Sequence, residues 1–257
     1  MKTDYFDLTE KVAVITGGAT GIGLGIAEGL AEAGATTGIC ARREQLCKEV
    51  ADKLSKGTGV PALGLHCDVT IQSEIETMVA NVLKHFGRID ILINSAGVGG
   101  SEKMILEMEE PDWDNVLDVN LKALFFLSRE VVKTMVNRGN GGKIVNVSSM
   151  AGVLATRRMR AYCASKAGLI QLTKVMSLEW VRHNIQVNAI LPGYFKTHMN
   201  KEFFTTKAGQ QIIEDSIPMR RIGEKKDIKG LAILLASSAS DFMTGSTILI
   251  DGGQTAS

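Results

Sequence analysis

At 257 residues the chain is long for one domain yet within reach of a single α/β unit, and it can bury a sizeable core. Apolar residues make up 45% and charged residues 22%, with 29 basic against 28 acidic side chains and a net charge of +1. That balance gives no electrostatic footprint for nucleic acid or an anionic membrane, Met1 to Asp7 lack the apolar core of a signal peptide, and no stretch nears the roughly 20 apolar residues of a membrane span.

Apolar runs and helical periodicity alternate from the start. Val12 to Ile15 reads as a short buried strand, followed by the glycine-rich turn Thr16-Gly17-Gly18-Ala19-Thr20-Gly21-Ile22-Gly23 and a helix through Ile26, Leu30 and Ala33. Such a strand-turn-helix lets the backbone approach a pyrophosphate at a helix N-terminus, although the spacing Gly-x-x-x-Gly-x-Gly differs from the common Gly-x-Gly-x-x-Gly fingerprint. Thr36 to Cys40 is the second strand, and Arg42 and Arg43 follow it, 19 and 20 positions after Gly23. A carboxylate there would hold the ribose hydroxyls of NAD. Two guanidiniums instead suit a 2′-phosphate, so NADP(H) is favoured over NAD(H), the other reading being a solvated surface pair.

Ala62 to Cys67 is a third strand. Ile75, Met78, Val79, Val82, Leu83 and Phe86 then form one helical stripe, ended by Gly87. Ile89 to Asn94 is a fourth strand, and Leu121 to Val136 a helix with Leu121, Leu124, Phe125, Val132 and Met135 on one stripe and Phe126, Leu127 and Val131 off it. Apolar residues on both sides of an outer-layer helix predict burial against another subunit. Lys143 to Val147, Ile185 to Ile190 and Thr247 to Ile250 complete seven strands, with a helix at Ile228, Leu231, Ala232 and Leu235 before the last. The pattern predicts one doubly wound α/β domain over residues 1–257 with a parallel sheet covered on both faces; Tyr194 to Met219 is its least regular part. Cys40, Cys47, Cys67 and Cys163 form no CxxC pair, and His66, His85, His183 and His198 have no ligand spacing, so reduced cytoplasmic thiols and no metal are expected.

Tyr162 and Lys166 lie four apart in Tyr162-Cys163-Ala164-Ser165-Lys166 and share a helix face. An ammonium beside a phenol favours the phenolate and draws its pKa down from about 10 towards a range useful for proton transfer. Alone the pair is common on amphipathic helices. Here it accompanies the glycine turn, Asn94-Ser95-Ala96-Gly97, Asn120, Ser148-Ser149 and Pro192-Gly193-Tyr194-Phe195-Lys196-Thr197. In this order, from about Leu8 to Gly253, these motifs resemble the short-chain dehydrogenase/reductase family, with its TGxxxGxG, NNAG, lone Asn, Ser, YxxxK and PGxxxT.

The resemblance implies a Rossmann fold and an oxidoreductase interconverting a ketone and a secondary alcohol. Tyr162 would be the proton donor and Ser149 would polarise the substrate oxygen. Lys166 would also bind the nicotinamide ribose, and Asn120 would anchor a water relaying protons to Lys166, beside a capping or helix-bend role. Gly17, Thr20, Gly21, Ile22 and Gly23 would cradle the pyrophosphate. Asp68 and Val69 would flank the adenine, Asn94, Ala96 and Gly97 line the ribose, and Pro192 and Gly193 lead to Thr197 at the carboxamide. Ser95 departs from the second Asn of NNAG, which would weaken a hydrogen-bonding element under the fourth strand. Residues 194–219 would cover the substrate.

Arg157, Arg158 and Arg160 would border the pocket, meeting an anionic substrate group or else forming a solvated loop or a subunit contact. Pro192 to Phe195 with Thr197 and Met199 is similar to both gluconate-type dehydrogenases and 3-oxoacyl carrier-protein reductases. The small-molecule partner expected is therefore a 3-oxoacyl thioester or a keto sugar acid. A homotetramer is expected, or a dimer. The competing reading is a catalytically silent dinucleotide-binding regulatory or scaffold protein.

Overall fold

The protein is described from a computed structural model covering residues 5–101, 103–197, 200 and 202–256; Met199 and His198 lie outside the described residues. In chain order the elements are β1 (Val12–Thr16), α1 (Gly21–Glu32), β2 (Thr36–Ala41), α2 (Glu44–Thr58), β3 (Ala62–His66), α3 (Gln72–Phe86), β4 (Ile91–Asn94), α4 (Glu110–Leu117), α5 (Ala123–Arg138), β5 (Gly142–Val147), α6 (Arg160–Trp180), β6 (Ile185–Pro192), α7 (Lys207–Ser216), α8 (Lys225–Ala236) and β7 (Thr247–Ile250). The strands form a seven-stranded parallel sheet in the order β3-β2-β1-β4-β5-β6-β7.

Alternation along each strand feeds two cores. Ala13 and Ile15 of β1 join α1, α2 and α8 through Ile26, Leu30, Cys47 and Ile228, whereas Val12 and Val14 join α3 and α5 through Met78, Val82, Leu127 and Val131. Strands covered on both faces lack polar alternation, which is why they read as continuous apolar runs. Chain direction across the sheet reverses between β1 and β4. Their carboxyl ends therefore frame the crevice where ligands bind in such folds.

Two expectations need correction. A π-helical turn, Asp118–Lys122, precedes α5, and its extra residue rotates the helix face. The buried stripe is accordingly Leu124, Leu127, Ser128, Val131, Val132 and Met135, so Leu127 and Val131 lie inside this chain. Phe125, expected on the inner stripe, is the exposed one, with Phe126 half-exposed beside it. The stretch 194–219, expected to be the least regular part, also holds a helix among its described residues, α7. Phe204, Ile213 and Ile217 form a small core of their own with Tyr194 against it.

Candidate active site

The proposed ligand-binding residues meet at the carboxyl edge of the sheet, each group where its strand ends. The turn after β1 depends on missing side chains. Gly17 and Gly21 have φ of +64° and +56°, a region that glycine tolerates. A Cβ on Gly17 would lie 2.9 Å from the Ser95 carbonyl oxygen, and one on Gly23 would run into the Gly17 carbonyl. Thr20 caps α1 without a side-chain hydrogen bond, and no acidic residue occupies the first turn. Those amides remain available to an anion, and the bare glycine surface admits it closely. Ile22 packs partly against the α1 core, so its contribution to this cradle is its backbone.

Thr197 stands across from the turn: a Cβ on Gly21 would sit 3.4 Å from its Cγ2. Its amide donates to Asn200 Oδ1 at 2.8 Å. Pro192 ends β6 in register with Ile250, and Gly193 continues tightly past β7, where a Cβ would come within 2.7 Å of Asp251 Cα. The donor set and the cradle fit a nicotinamide dinucleotide.

At the ends of β2 and β3, Arg42 and Arg43 are exposed, and neither guanidinium has a hydrogen-bond or ion-pair partner among the described residues. Asp68 is partly desolvated, which raises its pKa, but the Thr70 hydroxyl and amide and the Arg42 charge together hold it below the usual carboxylate range. Two cofactor assignments are revised at the side-chain level. Val69 is buried among the α3 core residues, which commits its side chain to packing. Asn94 is fully buried, and its Nδ2 donates to Ser128 Oγ and to Asn146 Oδ1, each at 2.8 Å, beneath the sheet. This network belongs to Asn94, and Asn146 extends it to Thr173, so serine at position 95 leaves it intact. The Ser95 and Ala96 amides instead lie on the Thr16 hydroxyl.

The catalytic candidates converge across β5 and α6. Ser149, extended at φ −167°, starts a 3-10 turn in which its Oγ accepts from the Ala151 amide at 3.1 Å. The Ser149 side chain also lies close enough to the Tyr162 phenol to draw its pKa down. Ser148 points the other way and donates to the Lys166 carbonyl at 2.8 Å, tying β5 to α6. Asn120 is fully buried in the π-helical turn; its Oδ1 accepts from the Val98 amide at 2.8 Å and its Nδ2 donates to the Val98 carbonyl at 2.9 Å. The observed role of its side chain is thus to pin the segment after β4. Gly97 faces the catalytic corner, since a Cβ there would lie 3.2 Å from Asn120 Oδ1 and 3.6 Å from Lys166 Nζ.

The electrostatics correct the simple reading of the Tyr-Lys pair. Lys166 Nζ donates to the Val147 carbonyl at 2.9 Å and lies 5.6 Å from the centroid of the Tyr162 ring. It sits over the ring and does not touch the hydroxyl. Burial therefore dominates and raises the phenol, with Ser149 pulling it partly back. Burial likewise lowers Lys166 to about 8.

Among the three loop arginines, Arg157 and Arg158 are exposed. Arg160 is different: among the described residues its Nη1 is buried without a partner, and its Nη2 meets only the Met104 sulfur, at 3.6 Å. No group of His, Cys, Asp and Glu among the described residues could hold a metal. Burial raises Cys40, Cys47 and Cys67, the last to about 12, which leaves them inert as thiols. Two site residues escaped the sequence reading. His66 and Glu74 bridge the ends of β2 and β3, and a lone histidine at a strand end offers no motif to find them by.

The profile of the family described as enoyl-(acyl carrier protein) reductase matches residues 17–255. The chain is 40% identical to a 2-dehydro-3-deoxy-D-gluconate 5-dehydrogenase of Dickeya dadantii, over 98% of each chain. It is 38% identical to an NAD-dependent glycerol dehydrogenase of Listeria innocua, over 97% of this chain and 96% of the other. A crystal structure of a gluconate 5-dehydrogenase from Burkholderia cenocepacia, in complex with NADP and tartrate, superposes with a TM-score of 0.93 at 36% identity, covering 99% of this chain and 98% of that one. With the motifs, the sheet order and these relatives in agreement, the chain belongs to the short-chain dehydrogenase/reductase family of oxidoreductases.

Proposed function

We propose that this protein interconverts a ketone and a secondary alcohol on a keto sugar acid, using NADP(H), with Tyr162 giving and taking the proton. The observation that carries this reading is the meeting of Ser149, Tyr162 and Lys166 on the sheet edge that also carries the glycine cradle. A bound nicotinamide supplies the hydride to the carbonyl carbon, or accepts it in reverse. Tyr162 delivers its proton to the carbonyl oxygen as that oxygen takes up the electron pair of the C=O bond, so that one hydride and one proton make the alcohol. Ser149 donates to the same oxygen. The raised phenol stays protonated near neutral pH, which suits it to donate. Lys166 is half-way to neutrality near pH 8 and can pass the proton on, while a relay water at Asn120 would use the backbone of the π-helical turn, its side chain being occupied.

NADP(H) rests on the two unpartnered guanidiniums after β2. The acid group rests on the relatives named for gluconate-type substrates and on Arg160, a partly enclosed guanidinium two residues before Tyr162 with no anionic partner among the described residues. A silent scaffold would be free to lose any of the four catalytic residues, and all four are present and positioned. Rates with keto sugar acids, matched uncharged ketones and 3-oxoacyl thioesters, each with NADPH and NADH, test the proposal. We expect the keto sugar acids with NADPH to lead by at least about tenfold in kcat/KM, and Arg160→Met to lower that value far more than the value for uncharged ketones. Leadership by the thioesters would overturn the substrate class, and equal losses for Arg160→Met would return that arginine to a structural role.

Assembly as a homotetramer, with a dimer as the fallback, belongs to the same reading. Phe125 on α5 and Val175 and Leu178 on α6 remain exposed, Leu178 at 79%, on helices whose other faces cover the sheet. Light scattering at micromolar concentration should give a multiple of 27.6 kDa, and the monomer mass would refute it. A cytoplasmic location is likewise proposed, supported by four unpaired cysteines and by the absence of any helix long and apolar enough to cross a membrane among the described residues.

A further inference from the structure

The corner between β2 and β3 holds a histidine that no motif assigns. His66, the last residue of β3, pairs with Ala41 in the sheet, so its ring stands beside Arg42. Its Nδ1 lies 2.9 Å from the Arg42 carbonyl oxygen, and its Nε2 lies 3.0 Å from Glu74 Oε2. The same Glu74 oxygen accepts the Asp68 amide at 2.7 Å. One ring thus links the residue before α2, the end of β3 and the first turn of α3. The first of these is where the NADP(H) reading puts an adenosine 2′-phosphate.

We infer that His66 is a positioning residue for the 2′-phosphate: it fastens the Arg42 backbone against Glu74 and so aims the Arg42 and Arg43 guanidiniums, which have no hydrogen-bond or ion-pair partner among the described residues. The inference rests on the NADP(H) reading given above. Both oxygens facing the ring are acceptors. A neutral imidazole has one N–H and can serve one of them, whereas the protonated ring has two and serves both. The charges around the ring are Arg42 and Arg43 from the turn after β2, Glu44 from α2, Asp68 after β3 and Glu74 from α3. Glu44 is paired with Lys48 at 2.7 Å and the Asp68 carboxylate with Thr70, so neither competes strongly for the two arginines. Exposure of the corner allows a dianion to enter without rearrangement of the core.

Calorimetric titration of the unliganded protein with adenosine 2′,5′-bisphosphate and with 5′-AMP separates the phosphate corner from the rest of the adenosine site and does not depend on turnover. His66→Ala should weaken the bisphosphate by about five- to tenfold and change 5′-AMP by less than about twofold. His66→Asn, whose amide can still reach the Arg42 carbonyl, should recover most of the loss. Equal weakening of both nucleotides, no weakening of either, or an asparagine variant as weak as the alanine one would overturn the inference. An unmutated protein that binds the two nucleotides equally would instead overturn the NADP(H) reading, and this inference with it.

Discussion

The two ends of the proposed active site are built in opposite ways. At the catalytic end, Lys166 is 4% exposed and held by the Val147 carbonyl, Ser148 fastens its backbone, and Asn120 makes a two-way bond with Val98. At the proposed phosphate end, Arg42 and Arg43 are exposed, with no hydrogen-bond or ion-pair partner for either guanidinium among the described residues, and the His66 ring holds the Arg42 carbonyl. Buried polar groups must find partners within the chain, so the catalytic geometry is set before any ligand arrives. Exposed charges have no such requirement: His66 fixes the backbone beneath them, and the guanidiniums complete their arrangement on the ligand. Substitution at the first end should therefore remove the chemistry, and at the second it should only change which cofactor is used.

Tyr162→Phe is the sharpest way to break this contrast. It keeps the ring over which Lys166 lies and removes only the hydroxyl. Turnover should fall by about 10²- to 10⁴-fold or more, while NADPH binding, followed by fluorescence titration, stays within about twofold. Retention of more than a few per cent of activity would show that another group moves the proton. At the other end, joint replacement of Arg42 and Arg43 by alanine should raise KM for NADPH about tenfold or more, leave kcat with saturating NADPH nearly unchanged, and hardly affect NADH. A preference for NADH in the unmutated enzyme would remove the basis of that prediction.

The inner strands were legible because a parallel sheet covered on both faces demands continuous apolar runs; β7, found to the residue, is a partly exposed edge strand that kept its apolar run. The face of α5 was not legible, because counting a stripe from Leu121 assumes an uninterrupted helix, whereas Leu121 lies in a π-helical turn that shifts the phase. α7 escaped because its only large apolar residues are Ile212 and Ile213, and their burial depends on Phe204 and Tyr194 outside the helix. In the site, spacing identified Tyr162 and Lys166 as a pair but not their environment. That the ammonium lies over the ring, bound to a strand carbonyl, follows from how α6 packs on β5. The glycine turn was legible in full, since a positive φ and close backbone approach restrict which residue can stand there. His66 was not, since its partners come from three separate elements.

The claim that Tyr162 carries the proton is tested most directly by the pH dependence of kcat/KM in both directions on one alcohol-ketone pair. Reduction needs the protonated phenol, which burial favours, so its rate should stay level through neutral pH and fall only in the alkaline range. Oxidation needs the phenolate, so its rate should climb by about tenfold per pH unit below the phenol's pKa. Mirror-image profiles sharing one alkaline inflection, both lost in Tyr162→Phe, are the predicted result. Two profiles that rise and fall together, or an inflection that survives the loss of the hydroxyl, would contradict it.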